Sequence, residues 1–276
     1  MASLQEIRVQ YFFISILYLV SMTLYSEPQD FSMKKAILIA HRGVSAEAPE
    51  NTLAAFKRAV ELDLPFIEMD IHLNKEGIPI VIHDETLSRT TNESKDLSVA
   101  DASLDYLKQL DAGSWFHEKF SGETIPTLEQ TLQLLWGKIG LMLELKSSEG
   151  QEAQLAKAVL TVLEKWMKKP SNKAVIIGSF SHKIVSRVRE LNPEQAVIGI
   201  TETDEAVHEY IQMGLKHIAI SKKQAKDSLF DLLKKQNART WVYTVDEVET
   251  AQELLEFGVE GIISNDPQKI KRSLKL

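Results

Sequence analysis

Short apolar runs alternate with amphipathic stretches along the chain from residue 36 to its end. The runs are rich in β-branched residues and show little polar alternation, which is typical of parallel strands buried on both faces. In the stretches between them apolar residues recur at helical spacing, as at Leu155, Val159 and Leu163. The pattern predicts strands over residues 36–40, 66–71, 139–145, 174–179, 196–200, 217–220, 240–244 and 260–264.

This strand–helix alternation predicts an α/β fold, namely a (β/α)8 TIM barrel, whose usual size is about 250 residues. The chain has 276 residues, so one such domain accounts for nearly all of it. The alternation is interrupted after the second barrel strand. Residues 79–82 indicate an extra strand there, and residues 85–125 indicate a short insertion with one helix over 103–110. We expect the insertion to lie on the C-terminal face of the barrel.

Residues 1–32 precede the alternation and are expected to form an extension outside the fold, with the barrel domain over 33–276. Residues 11–25 form an uncharged, largely apolar run. Because the run is shorter than the ~20 residues of a spanning helix, no stable membrane span is predicted. We interpret the extension either as a signal-like or anchor-like segment or as a disordered one. A cytoplasmic location is expected, with export or membrane anchoring through residues 8–25 as the alternative.

Composition narrows the classes of function. The chain carries a net charge of −7 and shows no basic stripe, which argues against a nucleic-acid partner. It contains no cysteine, which excludes disulfides, thiolate metal sites and a cysteine nucleophile. A bound metal would therefore take oxygen or imidazole ligands.

Polar residues gather at the ends of the predicted strands, where a β/α barrel builds its active site. Glu68 and Asp70 are two apart on one strand and so point to the same face, and Glu144 ends the next barrel strand. Carboxylates buried side by side are costly unless a cation compensates them. Three of them suit one divalent cation, either Mg²⁺ or Ca²⁺. The alternative is that these carboxylates simply pair with Arg42 or Lys146.

Two histidines, His41 and His83, end different β segments. Their ordinary pKa of about 6.5 lets one act as a base and the other as an acid near neutral pH. Arg42 and Lys146 are candidates to bind phosphate oxygens, the first through a planar fork and the second as a point charge. Together with the carboxylates, these residues indicate metal-assisted chemistry on a phosphate.

Several other residues have more than one interpretation. Glu50 and Asn51 are expected to support the metal site from behind its ligands, with capping of the first helix or a contact with substrate as the alternatives for Asn51. Trp241 and Phe180 lie on late strands, where they either fill the core or form a wall of the substrate site. His72 shares a face with the carboxylates of its strand, and we assign no role to it.

In their order and spacing these residues resemble the glycerophosphodiester phosphodiesterase family, in its compact bacterial form. The resemblance covers nearly all of residues 36–270. The departures, in the turn at 73–77 and at Ser264, touch neither the carboxylates nor the histidines. The matching segments are HRG at 41–43, PENT at 49–52, EMD at 68–70, HD at 83–84, LSRTT at 87–91, IPTLEQTL at 125–132, ELK at 144–146, WVYTVDE at 241–247 and SNDP at 264–267.

The resemblance implies a barrel of the phospholipase C-like phosphodiesterase type with one divalent cation, commonly Mg²⁺ or Ca²⁺. It implies metal-dependent hydrolysis of glycerophosphodiesters, such as glycerophosphocholine or glycerophosphoethanolamine, to sn-glycerol 3-phosphate and an alcohol. The residues that it implies are the metal ligands Glu68, Asp70 and Glu144, the acid–base pair His41 and His83, and the phosphate contacts Arg42 and Lys146.

Two other functions fit the same scaffold. A lysophospholipase D-like or sphingomyelinase-like enzyme would need an apolar groove, which the aromatic residues Trp115, Phe116 and Phe120 of the insertion could supply or else bury in a small local core. A non-catalytic barrel that binds glycerophosphodiesters is expected to lack a histidine or a metal carboxylate, and this chain retains them all.

Overall fold

A computed structural model describes residues 36–146 and 150–276 of the chain. Within these residues one sheet contains strands in the order β1-β9-β8-β7-β6-β5-β4-β2-β3, and β1 also pairs with β2. The second pairing of β1 closes eight parallel strands into a barrel, which confirms the predicted (β/α)8 fold. The strands are β1 Ile37–Ala40, β2 Phe66–Leu73, β3 Pro79–Val81, β4 Gly140–Leu145, β5 Val175–Ser179, β6 Val197–Thr201, β7 His217–Ser221, β8 Arg239–Tyr243 and β9 Gly261–Ser264.

Helices flank the barrel strands, as the apolar periodicity predicts. The helix predicted over 103–110 is shorter than expected, because after Leu107 the amides of Gln109 and Leu110 donate to carbonyls three residues back. Such bonds tighten the chain into turns rather than continuing an α-helix. The helices are α1 Leu53–Glu61, α2 Leu104–Leu107, α3 Leu128–Leu135, α4 Glu152–Met167, α5 His182–Leu191, α6 Asp204–Gln212, α7 Asp227–Lys235, α8 Val248–Glu256 and α9 Pro267–Leu274.

The alternation of side chains along β2 separates the core from the barrel interior. Ile67, Met69 and Ile71 belong to a buried apolar cluster that includes residues of the flanking helices. Glu68 and Asp70 point to the opposite face, because side chains of a strand alternate in direction. Both carboxylates are nevertheless buried. The same strand therefore stabilises the fold on one face and contributes acidic groups to the barrel interior on the other.

The segment between β2 and α3 adds a small layer beside the C-terminal end of β2. Strand β3 pairs antiparallel with β2, with Ile71 opposite Val81 and Leu73 opposite Pro79. The residues that follow bury an apolar cluster of their own, which includes Ile82, Leu87, Val99, Leu107 and Ile125. This cluster gives the segment a core separate from the main one, so its polar residues can be held firmly near the mouth of the barrel.

The predicted N-terminal extension over residues 1–32 lies outside the described residues, so its interpretation stays a prediction. Among the helices of the described ranges, none combines the length and the apolar character that crossing a membrane requires.

Candidate active site

Three carboxylates meet at the C-terminal ends of β2 and β4. Asp70 and Glu144 are partners in the register of these neighbouring strands, and Glu68 lies on the same face of β2. One oxygen from each of the three lies within 4.8 Å of the others, and all three residues are buried. One oxygen of Glu68, Oε1, accepts no hydrogen bond from the residues that the structure describes. A buried, unpartnered carboxylate oxygen in an all-oxygen cluster fits a divalent cation such as Mg²⁺ or Ca²⁺.

The protonation of this triad reflects its excess of negative charge. Burial raises the pKa of Glu68 well above its ordinary value, and the charges of Asp70 and Glu144 add to that effect. Burial and the charge of Asp70 also raise the pKa of Glu144 to about 7. For Asp70, burial acts in the same direction, but Lys146 and Arg42 outweigh it and the pKa is lowered. A bound dication would favour the charged form of all three groups.

Arg42 and Lys146 flank the triad on its two sides. Lys146 Nζ lies 3.3 Å from Asp70 Oδ1 and 2.5 Å from Glu144 Oε1. Arg42 Nε lies 3.4 Å from Asp70 Oδ2, and the Arg42 backbone amide donates to Glu68 Oε2 at 2.9 Å. Simple ion pairing thus accounts for Asp70 and Glu144. Within the described ranges, however, no Lys or Arg side chain lies at ion-pair distance from the carboxylate of Glu68. Ion pairing alone therefore does not explain why all three carboxylates are buried together.

His41 is oriented by an amide from the opposite end of the chain. Asn265 Oδ1 lies 2.7 Å from His41 Nδ1, and an amide oxygen can only accept, so Nδ1 carries the proton. Asp246 fixes the amide in turn, because it accepts from both the backbone N and Nδ2 of Asn265 at 2.8 Å. His41 Nε2 then faces Glu68 Oε2 at 4.0 Å. Burial and the charge of Arg42 lower the pKa of His41 to about 4.

His83 is held at both its ring and its backbone. Its Nδ1 lies 2.6 Å from Asp84 Oδ1, which leaves Nε2 as the nitrogen available to a substrate. Arg89 binds the same carboxylate, with Nε 2.5 Å from Asp84 Oδ2. Buried His72 has its Nε2 3.0 Å from the carbonyl oxygen of His83, so that Nε2 must be the protonated donor. Burial lowers the pKa of His83.

The turn after β1 places Arg42 beside the triad, and two residues of this turn adopt the left-handed backbone conformation. Arg42 has φ 55° and Gly43 has φ 79°. The Arg42 carbonyl accepts from the Asn51 amide at 3.0 Å, which closes the loop onto the start of α1. A Cβ atom on Gly43 would lie 2.7 Å from the backbone carbon of Ala55. Glycine is required at this position by the close approach to α1 as well as by the φ angle.

We expect Gly43→Ala to lower the free energy of unfolding by about 1–3 kcal/mol through this clash, beyond the backbone strain itself. Urea unfolding followed by circular dichroism measures the loss. Gly214→Ala is a matched control, since Gly214 has φ 78° but its added Cβ would meet nothing within 4 Å. Equal losses in the two variants would show that strain alone, without the contact to Ala55, makes glycine necessary.

Asn51 and Glu50, which precede α1, make different contacts in the structure. Asn51 does not cap α1, because the cap is Thr52, whose side chain accepts from the Ala55 amide. Asn51 Nδ2 instead donates to Asp70 Oδ2 at 2.8 Å. Glu50 lies behind Arg42 rather than against the triad, with its Oε1 2.8 Å from Arg42 Nη1.

The structure places the two late aromatic residues at different depths. Trp241 is only 2 % exposed and contacts Phe66 edge-on, with 5.6 Å between ring centroids. Phe180 is 42 % exposed and lies beside Lys146, whose Nζ is 5.8 Å from its ring centroid. Tyr243 stands perpendicular to Phe180 at 6.1 Å. Phe180 and Tyr243 therefore border the triad, whereas Trp241 fills the barrel.

Sequence reasoning missed several residues that hold the predicted ones in place. Asn265 and Asp246 each lie in a segment that matches the family, but neither residue had an assigned role. The identity of Asn265, an amide directly after the last barrel strand, was the signal that could have indicated a contact with the polar residues after β1. The sequence offers no comparable signal for the partners of Arg89.

A sequence profile of the glycerophosphoryl diester phosphodiesterase family matches residues 41–269, which include the triad and both histidines. The chain belongs to this family. The match confirms the family predicted from the motifs and the enzyme class of a phosphoric diester hydrolase.

Two bacterial relatives and one solved structure align with the chain over most of their length. A glycerophosphodiester phosphodiesterase of Caldanaerobacter subterraneus subsp. tengcongensis is 37% identical over 245 residues, which cover 86% of this chain and 96% of the relative. One of Bacillus subtilis is 30% identical over 268 residues, covering 87% and 88%. A solved Oleispira antarctica phosphodiesterase in complex with the product sn-glycerol-3-phosphate has a TM-score of 0.82 and 30% identity, covering 88% of this chain and 98% of that one.

Proposed function

We propose that this member of the family hydrolyses glycerophosphodiesters, such as glycerophosphocholine and glycerophosphoethanolamine, to sn-glycerol 3-phosphate and an alcohol. The observation that carries the proposal is the buried carboxylate triad, flanked by two cationic side chains and two ring-anchored histidines. The product bound to the Oleispira antarctica relative supports the same substrate class. The leaving alcohol would face the open mouth of the barrel.

The residues fit one divalent cation, which Glu68, Asp70 and Glu144 would hold. Their ligand atoms are hard oxygens, as Mg²⁺ and Ca²⁺ prefer. When bound, the cation would polarise the phosphate oxygens and offset the charge that develops on them. Arg42 and Lys146 would bind the remaining phosphate oxygens. Burial acts to lower the pKa of Lys146, but Asp70 and Glu144 outweigh it and raise the pKa, so this side chain stays charged at neutral pH.

The two histidines would move the protons. One accepts a proton from the nucleophile, which is either water or the neighbouring 2-hydroxyl of the glycerol, and the other donates a proton to the leaving oxygen. Attack by water gives glycerol 3-phosphate directly, whereas attack by the 2-hydroxyl gives a cyclic glycerol phosphate, which water then opens while the two histidines exchange their roles. Because each ring is anchored at Nδ1, by Asn265 for His41 and by Asp84 for His83, Nε2 is the atom that exchanges the proton. Anchoring also restricts each ring to one orientation before substrate arrives.

The test is release of glycerol 3-phosphate from glycerophosphocholine by the purified full-length chain. We expect EDTA to abolish the reaction and added Mg²⁺ or Ca²⁺ to restore it, since three carboxylates without a cation would repel the substrate phosphate. Undiminished turnover after EDTA, in protein shown to be metal-free, would contradict the metal requirement. Folded protein that gives no product with either ion would contradict the substrate class.

A lysophospholipase D-like activity is the second candidate, and the aromatic residues of the insertion favour it. Trp115 is 40 % exposed, Phe116 contacts both Trp115 and Phe120 edge-on, and the cluster offers apolar surface for an acyl chain. Comparing lysophosphatidylcholine with glycerophosphocholine separates the candidates. A kcat/KM higher for the lysolipid, and reduced by Trp115→Ala, would favour the second activity.

A further inference from the structure

One exposed guanidinium binds two carboxylates at the edge of the active site. Arg89 lies in the segment after β3 and donates four hydrogen bonds. Its Nε and Nη2 reach Asp84 Oδ2 and Oδ1 at 2.5 Å and 2.9 Å. Its Nη1 and Nη2 reach Glu50 Oε2 and Oε1 at 2.9 Å and 2.7 Å. Each carboxylate is thus held in a bidentate geometry, which fixes orientation as well as distance.

Both carboxylates lead directly to groups of the proposed reaction. Asp84 binds the ring of His83 through Nδ1, and Glu50 binds the guanidinium of Arg42. Arg89 therefore contacts the proposed proton-transfer group, His83, through one intervening side chain. It contacts the proposed phosphate-binding group, Arg42, through another. Arg42 follows β1 and His83 follows β3, so the two residues are far apart in the sequence. Their separation in the site therefore depends on contacts between the two segments.

The backbone around Arg89 is well anchored. Leu87 is fully buried in the apolar cluster of the insertion, and Thr90 and Thr91 are buried as well. Thr91 Oγ1 donates to the Leu87 carbonyl at 2.7 Å, which closes the turn that carries Arg89. A side chain on such a turn starts from a fixed backbone, which favours a defined geometry for the groups that it binds.

Stability alone does not explain this arrangement. Arg89 is 44 % exposed, so solvent screens its charge, although bidentate pairs in a network contribute more to the free energy of unfolding than isolated surface pairs do. Orientation, by contrast, is sensitive to small displacements, since a shift of about 1 Å in a reacting group can cost about 10²-fold in rate. The geometry favours a role in the reaction over a role in folding.

We propose that Arg89 is a positioning residue, which fixes His83 and Arg42 relative to each other through Asp84 and Glu50. The inference rests on the proposed function. It assigns the insertion a part in catalysis, since the insertion supplies the group that joins the acid–base residue to the phosphate-binding one.

The test compares kcat and KM for glycerophosphocholine in the metal-loaded full chain. Arg89→Ala should lower kcat by about 10- to 100-fold, because two groups lose their orientation. Arg89→Lys should recover little of this loss, since a single ammonium cannot bind both carboxylates in a fork. Arg187→Ala is the matched control, because Arg187 is 41 % exposed and pairs with Glu190 on outer helix α5.

The effect of millimolar guanidinium on kcat of Arg89→Ala separates positioning of the site from a general contribution to folding. Arg89 is exposed, so the small cation can enter its place, and we expect it to raise kcat of Arg89→Ala several-fold while leaving wild type and Arg187→Ala unchanged. Combining Arg89→Ala with Asp84→Asn should cost less than the sum of the single effects on activation free energy, because both act on His83.

Three results would overturn the proposal while the wild type remains active. They are a kcat of Arg89→Ala within twofold of wild type, full activity of Arg89→Lys, and additive effects with Asp84→Asn. Thermal unfolding of each variant checks that the fold persists. An inactive wild type would contradict the proposed function itself, and the role of Arg89 with it.

Discussion

His41→Ala and His83→Ala should each reduce kcat for glycerophosphocholine by about 10²–10⁴-fold, the usual contribution of a positioned acid or base. Each ring is anchored at Nδ1, which leaves Nε2 to exchange the proton, so truncation to alanine removes that group. Initial rates of glycerol 3-phosphate release at saturating substrate measure the effect. The fold should be retained, because both rings lie at the mouth of the barrel and outside the apolar core.

His208→Ala is the control for these variants. His208 lies exposed on α6, where its Nδ1 contacts the Asp204 carbonyl within the same helix. Its removal should leave kcat unchanged. Near-normal turnover in His41→Ala or His83→Ala would remove that histidine from the mechanism.

Loss of one carboxylate of the triad should abolish tight metal binding. We expect Glu68→Gln and Glu144→Gln to weaken the affinity for Mg²⁺ or Ca²⁺ by more than the ~10–100-fold that the loss of an outer-shell partner costs. An amide is a poorer ligand than a carboxylate and brings no negative charge. Isothermal titration calorimetry of metal-free protein gives the dissociation constants directly.

Stability distinguishes this effect from misfolding. In EDTA the metal-free Glu68→Gln variant should unfold at a urea concentration no lower than wild type, because a neutral amide replaces a buried carboxyl group that must either carry a costly charge or take up a proton. Glu260→Gln serves as the control, since Glu260 lies before β9 at the opposite end of the barrel and pairs with Arg239. An unchanged metal titration in Glu68→Gln and Glu144→Gln would show that the ligand set is wrong.

The fold was predictable because its signal is local. Buried parallel strands are short apolar runs, and the spacing of Glu68 and Asp70 already places both carboxylates on one face. The position of Trp241 was harder to predict. The alternation of side chains along a strand gives the face on which a residue lies, but not its depth in the barrel. The helix over 103–110 was overpredicted because its apolar spacing resembles that of a longer helix.

The residues that orient the site escaped prediction for a different reason. His41 and Asn265 are separated by 224 positions, and Arg89 lies 39 positions from Glu50. No periodicity or short motif encodes such contacts, which depend on how the closed barrel brings the ends of its strands together. The sequence therefore indicated which polar groups come together at the site but not which groups hold them in place.

The pairing of β1 with β9 has a consequence for the moment at which the enzyme becomes active during synthesis. Asn265 follows the last strand, and the His41 amide donates to the Ser264 carbonyl across the same seam at 2.9 Å. A nascent chain that ends before residue 261 would already contain the triad, both histidines and Arg89. It would still lack the amide that orients His41, so activity would appear only when the final strand docks and closes the barrel.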